Sequence, residues 1–515
     1  MTENRVDVVI SGAGPNGLMV ACELALAGVH PVVLERLLAP SDEPKANGMV
    51  GQVVRMLDMR GLYQSFTGSD EPPKPMYEWI FSGMRVPLFG MRENPMYGLP
   101  MQQPRLVRLL AERARELGVD VRWGHELTGV QTDAGGATVS VSSPGGDYTL
   151  EATYLVGADG GRSTVRKLAG IDFPGHTSNT VARIAHVTVP DEIRSANGGL
   201  DVPGFGTLPW GHNRLDNGGF IFAEMERGRP MVGTIEFDQQ PEASESITLD
   251  ELRDSARRVL GVDLPIGPPP GDGPHALRRI AGQNTRQANR YCAGNIFLVG
   301  DSAHVHSAMG GPGLNLGMQD AMNLGWKLAA TIRGDAPAGL LDSYQQERHP
   351  IGARVLDWSR AQVALMRPTP GTRALEAIVR DLIETRDGAT YFAERVWGVS
   401  LRYDLGSPHP LVGRSVPDFE LVDGTKAGRL LRDGRGLLLD FDSGASLQAL
   451  ANRWRERLAY VAADAKDRLG MRAILVRPDG IVAWACEADP DHEEAAHAIS
   501  RWFGETGRAG DSPRR

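Results

Sequence analysis

The sequence predicts an α/β fold: a βαβ core assembled from separated parts of the chain, an antiparallel sheet inserted into it, and a small α/β module after it. Three observations carry this prediction. First, three apolar runs each end in a glycine-containing turn that opens a helix: residues 6–10 (VDVVI) before Gly12, residues 154–157 (YLVG) before Asp159 and Gly160, and residues 295–300 (NIFLVG) before Asp301. Second, alternating aromatic-rich stretches such as 219–224 and 232–237, bounded by Gly and Pro, read as antiparallel strands. Third, beyond a Gly- and Pro-marked boundary at 406–410 the pattern restarts, with runs at 436–440, 458–462 and 471–476, a turn at 478–480, a run at 481–484 and a last helix.

The first turn is a G-x-G-x-x-G element, Gly12, Gly14 and Gly17 with Pro15 and Asn16 between, and Glu35 closes the next apolar run at 31–34. In a βαβ unit the first glycine makes the turn, the second lets backbone approach a pyrophosphate and the third allows close helix packing; the acidic residue takes ribose hydroxyls. Strand, turn, helix and acidic residue all occur in order, so the segment reads as a dinucleotide site. The third run places the Asp301 carboxylate at a strand end, where it accepts hydrogen bonds from sugar-like hydroxyls. The loop after it leads into a helix start at Pro312, Gly313, Leu314 and Asn315, whose backbone N–H groups favour negative charge on a ligand. That order suits a bound flavin. In the second run Asp159 precedes Ser163 and Arg166, which lie three residues apart on one helix face; Arg166 is also readable as a surface ion-pair partner.

Helical spacing continues through Met318, Ala321, Met322, Leu324, Gly325 and Leu328, and a second helix is expected from about 340 with Pro350 near a bend. The changes of pattern divide the chain into a dinucleotide-binding part (1–71, 99–178 and 276–405), an antiparallel-sheet part (72–98 and 179–275) and a C-terminal module (406–515), with the tail from 507 expected to be disordered.

Composition narrows the function. A chain of 515 residues with 41% hydrophobic content holds more than one domain, and a net charge of −9 argues against nucleic acid as a partner. Cys22, Cys292 and Cys486 are far apart and form no C-x-x-C, so neither a disulfide framework nor a zinc site is expected and the thiols are read as buried. The first strand begins almost at the N-terminus and no run of 18 apolar residues occurs, which reads as a cytoplasmic protein that does not enter membranes, a monomer or homodimer.

With the three motifs in this order, the chain resembles the group A flavoprotein monooxygenases, the para-hydroxybenzoate hydroxylase family, and within it the hydroxylases that tailor aromatic polyketides of the tetracycline and angucycline type. Segments 58–62, 109–118, 168–175 and 344–350 look like family landmarks, and the resemblance covers essentially the whole chain. It implies a Rossmann-like FAD-binding domain, an antiparallel-sheet substrate domain and a thioredoxin-like C-terminal domain without thiol redox activity. FAD contacts are implied at Gly12, Gly14, Pro15, Asn16, Gly17, Glu35, Arg36, Lys45, Gln103, Asp159, Asp301, Pro312, Gly313, Leu314 and Asn315. Substrate contacts are implied on the sheet over the flavin, with Trp79, Trp210, Phe220 and Phe222 as candidates that are equally readable as core.

The resemblance further implies that NADPH or NADH visits without a Rossmann domain of its own, and that a flavin C4a-hydroperoxide hydroxylates a small aromatic polyketide using O2, in secondary-metabolite biosynthesis. Baeyer–Villiger insertion, antibiotic inactivation and a flavin reductase or dehydrogenase that does not activate oxygen stay open. The chain departs from the usual pattern at Lys45, at Gln52 and Arg55, and at Ala308 and Pro312 in the loop after Asp301. His304 is expected to pack structurally and His306 to be able to face solvent.

Overall fold

The first apolar run forms Arg5–Ser11, the central strand of a parallel sheet, with Tyr148–Gly157 and then Ile296–Leu298 on one side and Val32–Glu35 and then Asp120–Trp123 on the other. The computed structural model describes residues 5–505 apart from 89–93, 95, 134, 225–227, 240–246, 270, 272–274, 282–283, 308–310, 396–400 and 443. Val8, Val9, Ile10, Leu155, Val156 and Leu298 are fully buried, which is why these strands read as continuous apolar runs: a parallel sheet is covered on both faces. The helix Pro15–Leu26 packs against both Gln103–Glu116 and Pro312–Ile332. Antiparallel strands Gly136–Ser142 and Glu126–Asp133 extend the sheet from Tyr148–Gly157.

Register decides where the motifs meet. Ser11 pairs with both Gly157 and Leu34, and Gly157 pairs with Leu298. The residues immediately beyond these pairs continue the ladder: Gly12 N–H donates to Leu34 O at 2.7 Å, Ala158 N–H to Ser11 O at 2.8 Å and Val299 N–H to Gly157 O at 3.0 Å. The Gly12 turn, Glu35, the Asp159 turn and the Asp301 turn therefore emerge side by side at the carboxyl edge of one sheet, where ligands bind in open α/β folds.

A second, wholly antiparallel sheet runs in the order Gly211–Leu215, Gly218–Ala223, Met231–Glu236, Val181–His186, Arg278–Ala281. One face is closed by the helix Leu249–Leu260, whose start is capped by the Thr248 side chain accepting from Glu251 N–H and whose end turns at Gly261 (φ 76°). Buried Glu236 binds Arg183, Arg258 and Ser255 across that contact. The other face looks toward the dinucleotide-binding part: Arg278 donates to Glu43 and to Pro44 O, Asn47 Nδ2 lies 3.8 Å from Met231 Sδ, and Ile235 and Ala182 cluster with Met366. The hairpin Glu78–Phe81 and Met84–Pro87 lies against the edge strand Gly211–Leu215, where a Cβ at Gly211 would meet Ile80 Cδ1 at 2.6 Å and one at Gly83 would meet His212 O at 3.3 Å, and it packs on Leu365, Ile383 and Phe392.

In the C-terminal module Gly436–Asp440 pairs parallel with Leu458–Ala462 and antiparallel with Ala473–Val476, which pairs antiparallel with Val482–Cys486 before the helix His492–Phe503. That is a thioredoxin-like order. Its core is continuous with Leu316, Trp326, Leu340 and Ile351 of the helices Pro312–Ile332 and Ser343–Met366 and the turn before the latter. A buried ion network crosses the same seam. Arg477 donates to both Glu347 oxygens (2.7 and 2.9 Å) and to Asp479, while Lys327 Nζ reaches Glu347 at 2.8 Å. Nearby, buried Arg60 binds Glu23 through two bonds and donates to Leu431 O and Pro478 O.

Burial alone would raise the Glu347 pKa, but Arg477 and Lys327 outweigh it and hold the carboxyl well below the ordinary range. A depressed carboxylate contributes stability that is complete above its ordinary pKa of 4.5 and is lost as pH falls through the folded value.

Of the three thiols, only Cys22 is buried; Cys292 and Cys486 are half-buried, contrary to the expectation for those two, and all three are free. The tail from 507 and Ala308 lie outside the described residues.

Candidate active site

The three glycines of the first turn have three different environments. A Cβ on Gly12, where φ is +106°, would lie 2.5 Å from Ala158 O, and one on Gly17 would lie 2.0 Å from Gly12 O. Around Gly14 nothing lies within 4 Å. The first and third positions are thus filled by the protein's own backbone and the second faces open space, as a pyrophosphate cradle requires. Gly14→Ala should leave the melting temperature of the apoprotein unchanged, since φ there is −70°, while weakening FAD binding about tenfold, or about 1.4 kcal/mol. Gly17→Ala should instead disrupt folding. Thermal unfolding and FAD titration separate the two; equal effects of both variants on melting temperature would contradict the assignment.

Glu35, half-buried, accepts from Ala13 N–H at 2.9 Å and from Leu37 N–H at 3.0 Å, one bond per oxygen, which aims the carboxylate across the turn and leaves each oxygen a further lone pair. Asn16 inserts its amide between the turn at Gly300 and the helix at Gly317, where Cβ atoms would come within 2.0 and 2.2 Å of Nδ2. Among the described residues its buried Oδ1 has no partner. Pro15 opens the helix behind them.

Asp159 acts first on its own chain: one oxygen accepts from Thr164 N–H at 2.7 Å and Val165 N–H at 3.0 Å, starting the helix Thr164–Leu168, and the other is buried without a partner among the described residues. Arg166 is no surface ion-pair residue. Its guanidinium stacks 3.8 Å over Phe173 and donates to Ser302 O (2.9 Å) and Gly161 O (3.0 Å), tying the second motif to the third.

Asp301 is exposed, and among the described residues its carboxylate accepts no hydrogen bond. Behind it, fully buried Asp320 takes Gly300 N–H (3.1 Å), His304 Nε2 (2.7 Å) and Arg348 Nε (2.7 Å). Burial pushes the Asp320 pKa up, but Arg348 and then His304 outweigh it, so the carboxyl sits below its ordinary range. His304 is structural, as expected. His306 differs from expectation: its ring is enclosed, with Nδ1 2.9 Å from Ser307 O and Nε2 buried, and burial lowers its pKa.

The helix Pro312–Ile332 starts at Gly311 (φ 66°) with proline in its first turn and no side-chain cap, so among the described residues the N–H groups at Gly313, Leu314 and Asn315 have no side-chain acceptor. The Asn315 side chain is used internally, accepting from Val50 N–H (2.9 Å) and donating to Gly311 O (3.0 Å). Gln103 begins the helix Gln103–Glu116 and is anchored by its N–H to Ala46 O. Arg36 is exposed just beyond Glu35, and Lys45 is exposed beside Glu43 at 3.4 Å.

Of the four implied substrate contacts, Phe220 and Phe222 need correction. Phe220 and Phe222 are buried against the helix Leu249–Leu260, on the sheet face turned away from the dinucleotide-binding part. Trp210 is exposed ahead of its strand, Trp79 is half-buried in the hairpin that lies against that strand, and both stay candidates. The face toward the motifs carries Ile221, His212, Ile184 and Met231, which alternate or pair in register with one another. Burial pushes the His212 pKa down to about 4, so its imidazole is neutral at physiological pH. Strand alternation separates Ile221 from Phe220 and Phe222, but the sequence does not say which set faces which neighbour.

These features define a dinucleotide-binding flavoprotein site. FAD fits it: Gly14 is open, Asp301 accepts no hydrogen bond, and the buried atoms Asn16 Oδ1, Asp159 Oδ1 and His306 Nε2 of the three motif turns have no partner among the described residues. The adenosine half would be held by Glu35 and the Gly12–Gly17 turn, and the flavin half by Asp301 and the helix start.

A family model described as FAD binding domain matches residues 5–359, and one described as aromatic-ring hydroxylase, C-terminal, matches residues 409–506. The chain is 40% identical over 519 residues to the 12-dehydrotetracycline 5-monooxygenase/anhydrotetracycline 6-monooxygenase of Streptomyces rimosus subsp. rimosus, covering 97% of this chain and 99% of that one. It is 36% identical over 510 residues to a rifampicin monooxygenase of Streptomyces venezuelae, covering 97% and 98%. The solved structure of OxyS anhydrotetracycline hydroxylase from Streptomyces rimosus superposes with a TM-score of 0.85 at 38% identity, covering 98% of this chain and 100% of that one. The chain belongs to the FAD-dependent aromatic-ring hydroxylases and is a flavoprotein monooxygenase. Among the described residues no helix is long and apolar enough to cross a membrane.

Proposed function

We propose that the protein hydroxylates a fused-ring phenolic polyketide, consuming NADPH or NADH and O2, in the assembly of a secondary metabolite. The observation that carries this reading is the near full-length likeness to a tetracycline-type monooxygenase, which extends through the sheet opposite the flavin motifs as well as the motifs themselves. Bound FAD supplies electron transfer from the nicotinamide and oxygen transfer to the ring. The chain supplies position and a dry field. Ile221, Ile184 and Met231 present apolar surface to the site, and neutral His212 offers a polar contact without a charge. The uncapped start of Pro312–Ile332 places N–H dipoles where negative charge on the ring system is favoured.

The test is anaerobic stopped-flow reduction of the FAD-loaded protein by NADH and by NADPH, with and without anhydrotetracycline and rifampicin, followed by mass analysis after admission of oxygen. A matched aromatic substrate should accelerate reduction about tenfold or more, equivalent to about 1.4 kcal/mol of barrier, and gain one oxygen atom. Equal rates throughout with hydrogen peroxide as the sole product would sink the proposal in favour of a reductase. Gain of oxygen by ring expansion of a ketone would replace hydroxylation with Baeyer–Villiger insertion.

A further inference from the structure

His306 and Asp301 converge on the space left by the missing side chain of Gly313. A Cβ at that glycine would lie 3.3 Å from His306 Cε1, 3.5 Å from His306 Nε2 and 3.7 Å from Asp301 Oδ1. The Ser307 carbonyl beside Nδ1 can only accept, so Nδ1 carries the ring proton and Nε2 is left with a lone pair. That nitrogen is buried and accepts from no group among the described residues. Its neighbour in sequence, His304, shows the ordinary alternative, with Nε2 satisfied by Asp320 inside a closed cluster.

Two side-chain acceptors with no side-chain donor between them among the described residues are chemically selective. They repel phosphate and carboxylate, and among the described residues no group of three potential ligands is placed to hold a metal ion. What they suit is a neutral chain of hydroxyl groups, each able to donate one hydrogen bond. The depressed pKa of His306, caused first by burial, keeps the ring an acceptor at physiological pH.

We infer that His306 is a cofactor-binding residue whose Nε2 accepts a hydrogen bond from a ribityl hydroxyl of FAD, on the same side of Gly313 as Asp301. The inference rests on the reading of Asp301 as the ribityl-facing carboxylate, and the experiment separates the two.

Apoprotein is titrated with FAD and with its 2′-, 3′- and 4′-deoxyribityl analogues, using the wild type and the variants His306→Leu, His306→Gln and Asp301→Asn. His306→Leu should weaken FAD about tenfold, the loss expected for one buried hydrogen bond, and His306→Gln should recover part of it through its amide oxygen. One deoxy analogue should bind the wild type about as weakly as FAD binds His306→Leu, and should lose nothing further in that variant. A side chain that merely supports the loop would not show such coupling. Unchanged FAD affinity in His306→Leu, or losses that simply add for every analogue, would overturn the inference. If Asp301→Asn weakens FAD and His306→Leu does not, His306 alone falls. If neither does, the placement of the ribityl chain falls as well. Should His306→Leu fail to fold, the analogue series on the wild type and His306→Gln decides: an analogue penalty of equal size in both would overturn the inference.

Discussion

Arg477→Met should destabilise the protein by about 3–5 kcal/mol, because removing one member of a buried ion network strands the others in a low-dielectric interior. Arg477 is fully buried, and its loss takes the ion-pair partner from Asp479 and leaves Glu347 with Lys327 and the Asn323 amide. The double variant Arg477→Met with Asp479→Asn should recover much of the loss, since it keeps the Lys327–Glu347 pair and restores neutrality. Urea unfolding of the three proteins measures this; additive losses in the double variant would show that packing of the long side chain, not charge balance, dominates. The same seam predicts the fate of a chain cut at 406. It would lose Arg477 and Asp479, leave Arg60 without its Leu431 and Pro478 acceptors, and uncover Trp326, Leu340 and Ile351. Such a fragment should be insoluble rather than merely inactive.

Asp301→Ala should weaken FAD retention about tenfold to a hundredfold, the equivalent of about 1.5–3 kcal/mol for hydrogen bonds to a charged acceptor. The fold should be unaffected, because the carboxylate is exposed and serves no protein donor among the described residues. Glu35→Ala should behave differently. It removes the acceptors of Ala13 N–H and Leu37 N–H as well as the ribose contact, so apoprotein stability should fall together with affinity. Flavin titration paired with thermal unfolding of the apoproteins reads both effects. An Asp301→Ala protein that is purified fully yellow, with unchanged affinity, would remove Asp301 from the site.

The elements that carry strong local signals were legible in the chain. Residues 6–10, 154–157 and 295–300 became neighbouring parallel strands because their nearly continuous apolar runs have no stable place except between two covered faces. The Gly12, Gly14 and Gly17 spacing, Glu35 and the turn at Asp301 likewise followed from local backbone requirements that only certain residues meet. Position in space was another matter. Arg166 had the pattern of a surface ion-pair residue, and it became a buried clasp between two motifs because Phe173, seven residues on, folds over it.

His306 could have faced solvent on sequence grounds; the return of the chain at Gly313 enclosed it. Phe220 and Phe222 were the more conspicuous residues of their strand, yet the partner that claimed them was the helix Leu249–Leu260, and the opposite face fell to Ile221 and His212. A strand's alternation is written in its sequence, and so are a turn's glycines and a helix's cap, because each depends on residues a few positions apart. Which of two alternating faces meets the cofactor, and which buried charge meets which partner across the C-terminal seam, depends on residues a hundred or more positions away, such as Glu347 and Arg477, and was decided only when the chain packed.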